Sequence, residues 1–448
     1  MKIHFVGIGG IGMSSLALHA HLSGYNVYGS DIYKSERTAF LKKVGIDVFI
    51  GHDERNWRDP DLLVRTPAAP LENPEISRAK REGIPVLTRA KFMKELVEEI
   101  PLQFAVTGTD GKTTTTAMIT HVLMELGQKP TAFLGGVHKL LEYGNYQKGQ
   151  NIVVYELDES QPEFCDFSPD YVIITNSRGD HLENFRNDRA FYQNCFEKLA
   201  ANTKRGVVTF AEDEISGDLG TITFGVRKGD FRIEERRATS FGQSAVFKAF
   251  GKRYTLKLRV FGFHNALNAL SVVAMLHHSG LKIEDIVSTL ETFEGTDRRF
   301  SVTPLAEDQN ITLIDDYAHT PDEIKSLLQA AQEAFPNTYK VVVFQPHRYS
   351  RLLREDGNFA RALTNADEIY VTDVYSAFET GSRAVSSDVI VKGLAEAGKK
   401  AFYVPCVGDV ANRLPIKSST TYLFVGAGDI TKASKMFTER FSSHILSK

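Results

Sequence analysis

Three cysteines among 448 residues, Cys165, Cys195 and Cys406, are too few and too widely spaced for a disulfide framework. With no CxxC pair among them, they are expected to be reduced core thiols. No run of about 18 apolar residues free of charge occurs, so no membrane-spanning helix and no membrane partner are expected. Residues 1–6 lead directly into a strand-like stretch without a basic n-region, a long apolar region or a cleavage site, which predicts a cytoplasmic chain. Excess charge is missing too. A formal net charge of -3 offers no bulk attraction to nucleic acid or an anionic surface, so any anion has to be held locally. Internal repeats and low-complexity tracts are absent, and no segment signals an obligate protein partner.

The composition present is that of a globular protein, with 42% apolar and 24% charged residues. At roughly 150 residues per domain the length suggests about three domains. Short β-branched runs at residues 3–6, 102–106, 151–155, 171–175, 339–344 and 421–425 alternate with amphipathic helical segments, the pattern of parallel sheets in an α/β fold. Two of these strands open separate glycine loops, which predicts separate domains. One boundary falls near Ile100 and Pro101, where a helical segment stops before a proline; a second falls near residues 295–300. The expected division is a Rossmann-like domain over 1–99, a central phosphate-loop α/β domain over 100–297 and a Rossmann-like α/β domain over 298–448. Residues 206–261, broken by glycines and charges, read as antiparallel strands on the edge of the central sheet.

The first loop, Gly7-Ile-Gly-Gly-Ile-Gly, places Gly7, Gly9, Gly10 and Gly12 between a strand and a helix. Missing side chains there let the backbone approach a pyrophosphate at a helix N-terminus. Asp31 follows a second strand near the distance of a ribose-binding acid. A tight structural turn explains the same glycines, and the pattern does not say which nucleotide.

The second loop is more specific. Gly108, Thr109, Asp110, Gly111, Lys112, Thr113 and Thr114 follow a buried strand and open a helix, supplying inward amides, a lysine for β/γ-phosphate charge and a hydroxyl for magnesium. A further glycine of the general pattern is replaced by Val106, so this is a shortened variant. Glu156 and His181 stand just past neighbouring strands, where ligands of parallel sheets gather; taken singly, each also reads as a solvated surface group. His264, Asn265 and Asn268 open a later helix, and its two amides, one turn apart, suit an adenine edge or a simple cap.

In order along the chain, the Lys112 loop, Glu156 with Asp158-Glu-Ser, Asn176 to His181, His264-Asn265 to Asn268, Arg298-Arg299-Phe300 and Asp315-Asp316-Tyr317-Ala-His319 resemble the Mur ligase family over essentially the whole chain. The amino-terminal glycine loop and Phe344-Gln-Pro-His-Arg-Tyr-Ser-Arg351 point to its L-alanine-adding member. The resemblance implies an ADP-forming ligase that joins L-alanine to the lactyl carboxylate of UDP-N-acetylmuramic acid through an acyl phosphate. It implies ATP and magnesium as cofactors, with manganese the alternative. Lys112, Glu156, His181, Arg299 and Asp316 would be catalytic, with Thr113, Glu156 and His181 on the metal. Asn265 and Asn268 would meet the adenine, Asp316 the ribose and Arg299 the transferred phosphate. Tyr317, His319, His347, Arg348 and Arg351 would line the carboxylate and amino-acid side, and the Gly7–Gly12 loop with Asp31 the UDP moiety. Two departures are Asp110, where the family member has histidine, and Glu156-Leu-Asp-Glu-Ser-Gln in place of an alanine-rich acidic stretch. A murein-peptide recycling ligase of the same fold and, from another class, a nicotinamide-dependent dehydrogenase are the competing readings; the dehydrogenase leaves Lys112 unexplained.

Overall fold

A computed structural model describes residues 1–179, 182–239, 241–355, 357–377, 379 and 385–446. Its strands form three sheets. The first is wholly parallel, in the spatial order Asp47–Ile50, Asn26–Asp31, Lys2–Val6, Leu62–Arg65, Val86–Thr88. Chain order reverses beside Lys2–Val6, and the first glycine loop leaves this strand at the switch point where doubly wound sheets bind ligands.

In the second sheet, Leu102–Thr107 lies between Ile152–Glu156 and Tyr171–Ile174, parallel to both. Three loops therefore leave neighbouring strand ends together: the Lys112 loop, the run from Glu156 and the run from Thr175. Gly206–Phe210 and Ile222–Gly225 continue this sheet in parallel, correcting the antiparallel expectation for that part of 206–261. The cause is the crossover Arg189–Asn202, a helix long enough to return the chain to the same end of the sheet. Farther out lie Phe231–Thr239, Gly242–Ala249 and Lys252–Leu258.

The third sheet has Ile311–Asp316, Thr420–Val425, Tyr339–Phe344, Glu368–Val371 and Lys400–Tyr403 in parallel, with Ser301–Ala306 antiparallel on its edge. Residues 341–344 and 422–425 read as unbroken apolar runs because both faces of a parallel sheet are covered; Val341, Val342, Val343 and Phe344 are all fully buried.

Two compact units emerge. One comprises Met1–Glu235, Ala245–Lys257 and Leu267–Thr296; the other comprises Arg236–Ser244, Leu258–Ala266 and Asp297–Lys448. The first sheet and the second as far as Ile222–Gly225 lie in the first unit, and a single apolar core runs from Ile3 and Phe5 to Val153 and Phe196. Among the described residues no helix is long and apolar enough to cross a membrane.

Candidate functional site

In the first unit, Gly108 and Gly111 have φ of +125° and +83°, the left-handed region that favours glycine. Close packing excludes a side chain as well. A Cβ on Gly108 would lie 2.7 Å from the Asn176 carbonyl oxygen, and one on Gly111 would lie 2.5 Å from Asn268 Oδ1. Asn176 pins the loop, accepting from Thr109 N at 2.9 Å and, through Oδ1, from Asp110 N at 3.1 Å. Gly111 then begins the helix Lys112–Glu125, whose first-turn amides have no partner within the helix and make an anion-binding end.

Lys112 folds back over this loop. Its Nζ donates to Glu159 Oε2 at 2.7 Å, Gly108 O at 2.5 Å and Thr109 O at 3.0 Å. Burial works against the ammonium, but Glu159, Asp158 and Glu156 outweigh it and hold its pKa above the usual lysine range. Burial pushes the Glu159 carboxyl up to about 7 against the pull of Lys112. Thr113 Oγ1 donates to Glu156 Oε2 at 3.2 Å, and Gly135 N donates to Glu156 Oε1 at 2.5 Å. A hydroxyl and a carboxylate beside a phosphate cradle are oxygen donors that suit magnesium, which takes few protein ligands and completes its shell with water and phosphate. The proposed third ligand, His181, lies outside the described residues.

Glu159, Asp158, Arg89 and Arg178 are contributors that sequence reasoning left without roles. Arg178 forms an ion pair with Asp110, so the loop's unusual acid is met by a cation from the next strand end. Arg89 Nη2 reaches Asp158 Oδ2 at 2.5 Å, and a Cβ on Gly12 would stand 2.8 Å from Arg89 Nη1. Both glycine loops thus border one Arg89–Asp158 pair. Only the third acidic position of Glu156-Leu-Asp-Glu hinted at Glu159; Arg89 and Arg178 carry no motif.

At the first loop, Gly7 has φ +80° and Gly10 precedes the helix Ile11–Leu22 in extended conformation. Asp31 Oδ2 accepts from Gly9 N at 2.8 Å, so its carboxylate braces the loop.

The second unit gathers the other candidates at strand ends. Asp316 accepts from Phe300 N and Ala318 N, both at 2.7 Å, while burial pushes its carboxyl up to about 6. Arg299 lies 5.1 Å above the Tyr317 ring and 3.9 Å from Glu323. Glu323 Oε2 is 3.2 Å from His319 Nδ1, and His319 and His347 meet edge to face at 5.8 Å. Burial lowers His319 to about 4 and His347 to about 3, so both are neutral at pH 7. Arg348 adopts φ +70°, a strained conformation that starts the helix Tyr349–Arg354. Arg351 is buried, with Nη1 3.4 Å from His347 Nδ1.

The helix-start candidates divide between the units. Asn268 lies against Gly111, whereas Asn265 Nδ2 donates to Phe261 O at 2.7 Å, closing its own turn. His264 is exposed at the helix start, and partial desolvation together with the charges of Arg299 and Arg236 lowers its pKa to about 4.

Comparison with known proteins gives matches along the whole chain. Residues 2–100 match the model of the Mur ligase family catalytic domain, 106–276 the Mur ligase middle domain and 298–428 the Mur ligase glutamate ligase domain. A UDP-N-acetylmuramate–L-alanine ligase of Thermotoga sp. (strain RQ2) is 54% identical over 445 residues, covering 99% of this chain and 97% of the relative. A ligase of the same description from Clostridium botulinum is 36% identical, covering 97% of each. Among solved structures, the UDP-N-acetylmuramate-alanine ligase of Thermotoga maritima superposes with a TM-score of 0.92 at 50% identity, covering 99% of this chain and 100% of that one. A murein peptide ligase from Psychrobacter arcticus shares the fold at 21% identity and a TM-score of 0.71, covering 98% of each chain.

Proposed function

The chain belongs to the Mur ligase family, and on that premise we propose that it is an ATP-dependent, ADP-forming ligase that joins L-alanine to the lactyl carboxylate of UDP-N-acetylmuramic acid in peptidoglycan precursor synthesis. The observation that carries the reading is the glycine cradle at the end of Leu102–Thr107 with Lys112 over it and the Thr113–Glu156 pair beside it. The choice of L-alanine is supported by full-length likeness to ligases of that description.

A carboxylate and an amine at neutral pH form a salt, so the acid has to be activated. Bound ATP with magnesium supplies a transferable γ-phosphoryl group and neutralises its charge. Lys112 would exchange Glu159 for the phosphates, and burial, which pushes the Glu159 carboxyl up to about 7, would let it hold a proton once its partner has gone. Gly108, Thr109, Asp110, Gly111 and Thr114 shape the cradle, and helix first-turn amides receive phosphate oxygens. Thr113 and Glu156 would hold the metal, with His181 as the third ligand that the family resemblance implies. The Gly7–Gly12 loop takes the UDP diphosphate while Asp31 keeps the loop rigid.

Asp316 takes the ATP ribose, His264, Asn265 and Asn268 the adenine side, and Arg299 the transferred phosphate. Tyr317, His319, His347, Arg348 and Arg351 receive the carboxylate and the amino acid. With both histidines neutral, the positive charge that attracts a carboxylate there comes from Arg348 and Arg351. The regions 1–99, 100–297 and 298–448 would serve UDP-substrate, ATP and amino acid in turn.

Phosphate release from ATP, measured with magnesium while UDP-N-acetylmuramate and amino acids are added singly and together, tests this. Release requiring both UDP-N-acetylmuramate and L-alanine is expected. Dependence on a murein tripeptide would reassign the chain to peptide recycling, and release needing neither would leave an ATPase.

A further inference from the structure

Glu75, on the first turn of the helix Pro74–Arg81, is wholly buried, and its donors come from the first three strands and the turn after them. Oε2 accepts from His4 Nε2 at 3.1 Å and from Ser30 Oγ at 2.5 Å, with His52 Nδ1 3.5 Å away. Oε1 accepts from Asn56 Nδ2 at 2.6 Å and from Asp53 N at 3.2 Å. A carboxylate only accepts, so the single Ser30 hydroxyl proton is committed to Glu75, and His52 Nδ1 donates to Ser30 Oγ at 2.9 Å. Burial opposes the charge, but hydrogen bonds from His4, His52 and Ser30 outweigh it and hold the carboxyl well below the usual range. An apolar side chain would fill such a place at less cost in desolvation; what a buried carboxylate adds is a fixed arrangement of its donors.

Two hydrogen-bonded routes run from Glu75 to the first glycine loop. In one, Ser30 gives its hydroxyl to Glu75 while its carbonyl accepts from Gly7 N at 2.8 Å and Ile8 N at 3.0 Å. In the other, Asn56 Nδ2 also donates to Gly51 O at 2.9 Å, Gly51 N donates to Asp31 O at 2.8 Å, and Asp31 Oδ2 holds Gly9 N. The amides of residues 7–9 are thus engaged by Ser30 and Asp31, which leaves the first-turn amides of the helix Ile11–Leu22 to meet a phosphate.

We propose that Glu75 is a positioning residue for the UDP-substrate, one that sets the glycine loop, the end of Asn26–Asp31 and the turn 51–56 in the geometry that receives the diphosphate. The inference rests on the reading of the first loop as the UDP site. Glu75 acts through Ser30, Asn56 and Asp31 and takes no part in phosphoryl transfer, so its loss falls on the UDP-substrate and spares ATP.

The test is calorimetric titration of the full-length protein with UDP and, separately, with ATP and magnesium, alongside steady-state turnover. Glu75→Gln keeps the shape but turns an amide N–H toward donors at one of the two oxygen positions. It should weaken UDP binding and raise the KM for UDP-N-acetylmuramate about tenfold, with ATP affinity and saturated turnover within about twofold of the unmodified protein. Ser30→Ala, which breaks one route only, should raise the same KM about threefold and carries the test should Glu75→Gln not fold. Ile46→Ala, in the core at the other end of the sheet, should lower the thermal midpoint without weakening UDP. A loss of UDP affinity as large in Ile46→Ala, or one in Glu75→Gln matched by an equal loss for ATP, would reduce Glu75 to a stabilising residue and overturn the proposal. UDP binding unchanged in both Glu75→Gln and Ser30→Ala would do the same. Failure of the unmodified protein to bind UDP would instead overturn the reading of the first loop, and this proposal with it.

Discussion

Around the Lys112 loop, charge is met locally by atoms of opposite sign. Lys112 has Glu159 and two carbonyls, Asp110 has Arg178, and Glu156 has a hydroxyl and an amide. Around Asp316 the dominant influence is burial, which pushes an acid up and two histidines down. The first array is backbone-built and keeps its lysine charged across the working pH range. The second is built from side chains whose protonation follows their exclusion from water. One region is therefore suited to gripping a polyanion, and the other to setting charge by protonation.

The largest effect expected from breaking this contrast is at Lys112. Lys112→Met should lower ligase turnover by about a thousandfold, since phosphoryl transfer depends on charge neutralisation more than on covalent help. Phosphate release at saturating substrates measures it, and turnover within tenfold of the unmodified chain would remove Lys112 from the mechanism. Gly108→Ala comes next. A Cβ there meets Thr175 and Asn176 at a φ that L residues avoid, so about 2–4 kcal/mol of stability should be lost. Urea unfolding reads it directly.

The second array should reveal itself through pH. Folded pKa values of about 4 for His319 and about 3 for His347 lie below an unfolded value near 6.5. Between these limits the unfolded chain binds more protons. The histidines' contribution is therefore complete above pH 6.5 and lost as pH falls toward 4, on the order of 1 kcal/mol per pH unit for each. Asp316 has the opposite sign. Its folded pKa of about 6 exceeds the unfolded value, so its contribution is present at low pH and lost as pH rises through 6. Denaturation at pH 7, 5.5 and 4.5 should show a net fall in stability that is shallower in His319→Asn; equal slopes would blur the distinction between the arrays.

The smallest expected effect concerns Arg178. Its partner Asp110 stands beside the phosphate cradle, and both side chains are about a third exposed. Arg178→Ala should raise the KM for ATP about tenfold by leaving that acid uncompensated, and adding Asp110→Ala should recover most of the loss. A double variant no better than the single would mean that Arg178 acts on ATP directly.

Much of this organisation was legible in the residues. The parallel strands showed as β-branched runs between helical segments, and both glycine loops announced the φ values and close approaches that only glycine allows. Residues 206–261 misled because glycines and charges mimic hairpin punctuation, while the crossover helix Arg189–Asn202 imposes parallel pairing on Gly206–Phe210. Arg89 and Glu159 were hidden for another reason. Their partners lie 69 and 47 positions away, and no local spacing encodes such pairs.

What the sequence by itself determined is the covalent and local part: strand and helix order, the glycine loops, the lysine and hydroxyl for phosphate and metal, and resemblance to one ligase family. These follow from backbone sterics and side-chain chemistry that act within a few residues. Only the tertiary structure decided which charges compensate each other, that Asp31 braces the Gly9 amide, and that His319 and His347 are kept neutral. Each of these depends on distance through space and on exclusion from water, which arise when separate strands and helices pack together.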